Sequence, residues 1–197
     1  MFKVIGLIVI SIFLSGCQSL SEVKNSQKSY LVEDNTEISH AMLDRGLATQ
    51  FPYNKEYSLT VGHVHDFGNN INFVSRHPNC DVAILNKTYK SDKTYPDFES
   101  SKMGENVTLY GHAGGKNKET IVNGKVIDYI VVSLGEYSKE CRVAVVDARV
   151  QKGMSGGPVY NDKGKIVGVI FAVNKNKDKN LSYFVPYESF SDWLSKI

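Results

Sequence analysis

Several things are scarce in this chain, and each scarcity excludes a class of function. Among its 197 residues there are three cysteines, Cys17, Cys80 and Cys141, and no two of them stand as C-x-x-C. No His/Cys spacing fits a structural zinc site, so neither a metal nor a cofactor is expected. There is no excess of charge of one sign. Lys and Arg total 23 against 21 for Asp and Glu, a formal net charge of +2. That balance, with no interleaving of basic and aromatic residues, argues against a nucleic-acid partner. No internal repeat is visible. The apolar run Val4–Leu14 is too short to span a bilayer. Disorder over the whole length is excluded by 42% hydrophobic and 22% charged residues.

The short apolar run is an export signal instead. Lys3 precedes it, and small residues and Cys17 follow it in "MFKVIGLIVISIFLSGC". Leu14-Ser15-Gly16-Cys17 resembles the lipobox of bacterial lipoproteins. The resemblance implies cleavage before Cys17 and lipid attachment to it. Gln18 stands where an aspartate would retain such a protein at the inner membrane, so the outer membrane is the expected destination, facing the periplasm or the cell surface. Residues 17–45 are polar and aperiodic, and are expected to tether the lipid to a folded domain. In an oxidising compartment Cys80 and Cys141 are expected to pair, with two separately buried thiols as the alternative.

From about Glu56 the chain is a succession of short β-type runs. They are Ser58–Val61, Ile71–Ser75, Asp81–Leu85, Val107–Gly111, Thr120–Asp128, Tyr129–Leu134, Val143–Val146, Val159–Tyr160, Lys165–Val173 and Ser182–Val185. Gly, Asn, Asp and Lys clusters separate them. "NDKGK", 161–165, is a hairpin signal. One helix is predicted, over "YESFSDWLSKI", where Phe190, Trp193, Leu194 and Ile197 share a face. The pattern predicts an all-β barrel or sandwich with a terminal helix, divided near Asp97–Asn106.

"KGMSGGPVY" surrounds one serine with residues that permit unusual backbone angles. A serine hydroxyl needs a base to become a nucleophile, and backbone N–H groups to receive the negative oxygen it creates. Gly153 and Ser155 are the candidate donors of those N–H groups. His63, at the end of an apolar run in "LTVGHV", is the candidate base; His65 is its rival two residues on. Asp81, opening "DVAIL", is the candidate carboxylate, with Asp66 as rival.

Together "LTVGHV", "DVAIL" and "GMSGGP", in the order His, Asp, Ser, resemble the chymotrypsin-like serine peptidases. "ETIVNGKVI", "VVDARVQKGMSGGPVYNDKGKIVGV" and the terminal "SYFVPYESFSDWL" are similar to the bacterial HtrA-type branch. Over residues 56–197 the resemblance implies two six-stranded antiparallel β-barrels, taken as 46–103 and 104–197 behind a signal peptide, 1–16. It implies a serine endopeptidase acting on protein or peptide substrates. A specificity pocket walled by Arg149–Lys152, Phe171–Val173 and the strand at Ser182 follows from the same resemblance. In it Val173 narrows the pocket, while Arg149 either favours an acidic side chain or lies on the surface. The chain departs from the pattern in three ways. The interval from His63 to Asp81 is short, Met154 replaces an acid, and no PDZ module follows the helix. The alternative is a catalytically silent peptidase fold used as a binding module.

Overall fold

The computed structural model describes residues 38–40, 47–63, 73–89, 95–113, 119–133, 139–173 and 180–197. The signal peptide, Cys17, His65, Asp66 and most of the lysine-rich stretch 174–180 lie outside them. Twelve strands and a short helical end make up the described chain. β1 (Ile38–His40) pairs with β2 (Leu47–Thr49). A second sheet is ordered β3 (Phe51–Pro52), β4 (Tyr57–Thr60), β6 (Ala83–Asn86), β5 (Phe73–Arg76). The remaining six strands close into an antiparallel barrel. They are β7 (Asn106–His112), β8 (Glu119–Val132), β9 (Cys141–Val146), β10 (Pro158–Asn161), β11 (Ile166–Val173) and β12 (Ser182–Pro186). The all-β class is the expected one; among the described residues one six-stranded barrel closes, and where a second six-stranded barrel was expected the chain forms a four-stranded sheet.

Near-continuous burial along its central strands holds the barrel together. In β9 every residue but Arg142 is buried, and in β10 every residue is. Val143, Val159, Val169, Ile170 and Phe184 are among the sealed side chains. Burial of this many branched and aromatic groups, at about 1.5–3 kcal/mol each, is the main stabilising term. The expected runs Thr120–Asp128 and Tyr129–Leu134 form one strand, β8. It pairs with β7 through Glu119–Lys125 and with β9 from Val126 on, bending at a bulge between Val126 and Asp128. A bulge re-aims a strand without ending it, which is why two runs were legible where one strand exists. The terminal helix is also shorter than its pattern. A 3₁₀ turn, Tyr187–Ser189, is separated from α1 (Ser191–Leu194) by Phe190 at φ −135°. Phe190 and Leu194 are buried, while Ile197 is exposed.

Cys80 and Cys141 are bonded, with Cα atoms 5.0 Å apart and a sequence separation of 61. The bond ties the turn before β6 to the start of β9. Closing so long a loop restrains the unfolded chain, by about 4 kcal/mol at most. Replacing both by serine is expected to lower unfolding stability by about 2–4 kcal/mol, read from urea midpoints under oxidising conditions.

On the same turn, His77 Nδ1 accepts the N–H groups of Asn79 (3.1 Å) and Cys80 (2.8 Å). Its ring meets Trp193 edge-on at 5.4 Å. Burial holds its pKa below the ordinary 6.5. A base with a lowered folded pKa favours its neutral form, so its contribution is complete above the unfolded pKa. That contribution is lost as pH falls through the folded value. Thermal stability is therefore expected to fall below about pH 6.5, and His77→Gln is expected to flatten that decline in a pH series of melting temperatures.

Candidate active site

Strand register brings His63 and Asp81 together. β4 and β6 are antiparallel, with Thr60 opposite Ala83. The chain leaving β4 at Val61–His63 therefore runs beside the chain entering β6 at Cys80–Val82. The short interval of 18 residues is enough because β5 returns the chain directly to β6. Asp81 lies in the turn ahead of the strand rather than opening it, since β6 begins at Ala83.

The Asp81 carboxylate is 1% exposed and the His63 side chain 26%. Oδ1 accepts the His63 backbone N–H at 2.7 Å, and Oδ2 lies 2.5 Å from His63 Nδ1. The carboxylate thus holds both the backbone and the ring of His63. With the proton on Nδ1, Nε2 is left as an acceptor.

From Gly153 to Tyr160 every residue is buried except Ser155, which is partly exposed. The backbone explains how one hydroxyl is offered from a sealed segment. Met154 N–H donates to Gln151 O (3.2 Å), closing a turn whose third residue, Gly153, has φ +97°. A type II turn requires a positive φ there, which glycine adopts freely. Gly156 N–H donates to Ile170 O (2.8 Å) and Gly157 N–H to Met154 O (3.0 Å). Of the five N–H groups from Gly153 to Gly157, only those of Gly153 and Ser155 donate to nothing among the described residues. They are the two that the sequence nominated as donors to a developing oxyanion.

Met154 fills the place of the acid. Its side chain is fully buried in the barrel, and its Sδ accepts the Gln151 N–H at 3.4 Å. The turn is therefore braced by a thioether rather than by an ion pair.

The turn also touches β2. Thr49 N–H donates to Ser155 O (2.7 Å), and Thr60 Oγ1 donates to Thr49 O (2.8 Å). Thr60 stands three residues before His63, so the serine turn and the histidine strand meet through Thr49. Sequence reasoning missed Thr49. A three-residue strand with a buried threonine has too little alternation to announce itself. His112 ends β7 and is buried.

Around the expected pocket, Ser182 Oγ donates to Ala148 O (2.7 Å) and accepts the Val150 N–H (2.8 Å). It bolts down the 148–150 segment. Arg149, between those two contacts, is exposed, and Phe171 is buried. The backbone of Val173 pairs with Ser182; its side chain lies outside the described residues. Among the described residues, no group of three or more His, Cys, Asp and Glu could hold a metal ion.

Comparison with known proteins decides the family. The trypsin-like peptidase domain matches residues 32–169. The chain belongs to this family. The chain is 28% identical over 123 residues to Protease Do-like 2, chloroplastic, of Arabidopsis thaliana, covering 59% of this chain and 20% of that protein. It is 25% identical over 171 residues to Serine protease Do-like HtrB of Bacillus subtilis, covering 83% and 34%. The chain thus spans between a fifth and about a third of these relatives. Among solved structures, the Rv3671c protease of M. tuberculosis in an inactive form superposes with TM-score 0.73 at 23% identity, covering 91% of this chain and 96% of that one. Its active form gives the same TM-score at 22% identity, covering 91% and 87%. That likeness establishes the fold and does not choose between the two states.

Proposed function

We propose that this chain is an exported, lipid-anchored serine endopeptidase. One observation carries the reading: in a buried turn the one partly exposed residue is a serine, and its own N–H and that of Gly153 are the only two of the five from Gly153 to Gly157 without an acceptor among the described residues. A purely structural turn gains nothing from leaving two amide donors unused. His63, held by Asp81, supplies the base such a serine needs.

In this reading Ser155 Oγ attacks the scissile carbonyl as His63 Nε2 takes its proton. The carbonyl oxygen becomes negative and is held by the N–H groups of Gly153 and Ser155. His63 then gives the proton to the leaving amine, which leaves an acyl-enzyme. Water, activated by the same imidazole, releases the product acid. Asp81 fixes the tautomer of His63 and stabilises its charged form. Residues 1–16 are removed on export, Cys17 carries the lipid, and 17–45 tether the peptidase unit of 46–103 and 104–197. The substrate side chain enters between Arg149–Lys152, Phe171–Val173 and the strand of Ser182, with Ser182 shaping the wall from behind. The exposed Arg149 is then a surface charge beside the pocket mouth rather than its base.

The purified full chain is expected to cleave casein, and Ser155→Ala and His63→Ala to leave it intact. Equal cleavage by parent and Ser155→Ala contradicts the reading. A folded parent that binds casein without cutting it favours the silent binding module.

A further inference from the structure

Thr49, in β2, is fully buried and takes no part in the steps above. Yet its polar atoms converge on the serine turn. Its N–H donates to Ser155 O (2.7 Å), and its Oγ1 donates to Gly153 O (2.8 Å). The same Oγ1 accepts the His112 N–H (2.9 Å), and its carbonyl accepts Thr60 Oγ1 (2.8 Å).

The direction of the hydroxyl proton follows from chemistry. An amide N–H can only donate, so Oγ1 must be the acceptor toward His112. Its single O–H is then committed to Gly153 O. The consequence lies in the peptide planes. In a trans peptide C=O and N–H point opposite ways. The Gly153–Met154 peptide is held at both ends, by Thr49 Oγ1 at its C=O and Gln151 O at its N–H. The Ser155–Gly156 peptide is held at both ends too, by the Thr49 N–H and by Ile170 O. Gly153 N–H and Ser155 N–H belong to the two neighbouring peptides, and their orientation follows from the planes that flank them. A glycine at φ +97° would otherwise rotate easily, since it has no Cβ to hold it.

We propose that Thr49 is a positioning residue for the oxyanion site: its hydroxyl locks the Gly153–Met154 plane, and its N–H locks the Ser155–Gly156 plane. Through Thr60 it also fixes that site relative to the strand that delivers His63. The inference rests on the serine peptidase reading.

The test uses Thr49→Val, which keeps the shape and removes the hydroxyl, and Thr49→Ser, which restores it. Turnover is measured per serine titrated with a fluorophosphonate. Thr49→Val is expected to lower kcat by about 10- to 100-fold with KM within about threefold, and Thr49→Ser to recover most of the loss. A merely structural threonine would lower melting temperature and leave kcat per titrated site unchanged, and that result overturns the proposal. Should Thr49→Val fail to fold, Thr49→Ala removes the same hydroxyl without adding buried volume. Crystal structures of parent and variant give a readout independent of turnover. Gly153 is expected to leave its positive φ in Thr49→Val and keep it in Thr49→Ser. An unchanged Gly153 in Thr49→Val counts against Thr49 even if the parent proves inactive, whereas inactivity of the parent alone counts only against the peptidase reading.

Discussion

Asp81→Asn is expected to lower kcat by about 10⁴-fold at neutral pH, with little change in KM. Both carboxylate oxygens of Asp81 accept, one from the His63 backbone N–H and the other from Nδ1. An asparagine has one acceptor and one donor at those two places. If its NH₂ faces Nδ1, the ring must carry its proton on Nε2 and can no longer take one from Ser155. If it faces the backbone N–H instead, two donors are forced together beside a buried side chain. The first orientation removes the base, and the second pushes its backbone away. Asp66→Asn is expected to stay within about threefold of the parent, because Asp81 holds both the backbone N–H and the ring of His63. Steady-state kinetics on a peptide ester decides between the two acids. A large loss in Asp66→Asn with a small one in Asp81→Asn would reverse the assignment.

Gly157→Ala is expected to be among the most damaging single changes to stability. An added Cβ would lie 1.9 Å from Tyr110 O and 3.0 Å from Met154 O. Both neighbours are backbone, and Tyr110 is locked in β7 between β8 and β10. No side chain can swing away, so a strand of the closed barrel must shift. Overpacking of this kind costs about 3 kcal/mol or more. For a chain of this size that is a fall of about 10 °C in melting temperature, measurable by calorimetry. The strain falls two residues from Ser155, so fluorophosphonate labelling of the folded fraction is expected to fall as well. A melting temperature within about 2 °C of the parent would show that the turn yields more easily than its packing implies.

What could be read in the sequence follows the length of the pattern. The barrel strands are apolar runs several residues long bounded by turn residues, and β7, β9, β11 and β12 lie within two residues of where those runs put them. The serine turn was legible because its chemistry demands glycines at fixed places, and Gly153 has the positive φ expected of such a turn. Asp81 lies beside His63, but the pattern assigned it to a strand. Its carboxylate is buried in the preceding turn, and a buried charged residue reads like a strand start when only the following Val-Ala-Ile-Leu is visible. Thr49 was not legible at all. Its importance comes from four hydrogen bonds across contacts as far as 106 residues apart, from Thr49 to Ser155, and nothing local encodes them. The terminal helix was overread because apolar spacing persists through Phe190, where the backbone leaves the helical region.

The most direct measurement is covalent labelling of the full chain with a fluorophosphonate, followed by peptide mapping. Ser155→Ala and His63→Ala are run beside the parent. A label is expected on Ser155 in the parent, none in Ser155→Ala, and labelling slowed by orders of magnitude in His63→Ala. A folded parent that takes no label, or takes it at another residue, would contradict an activated Ser155.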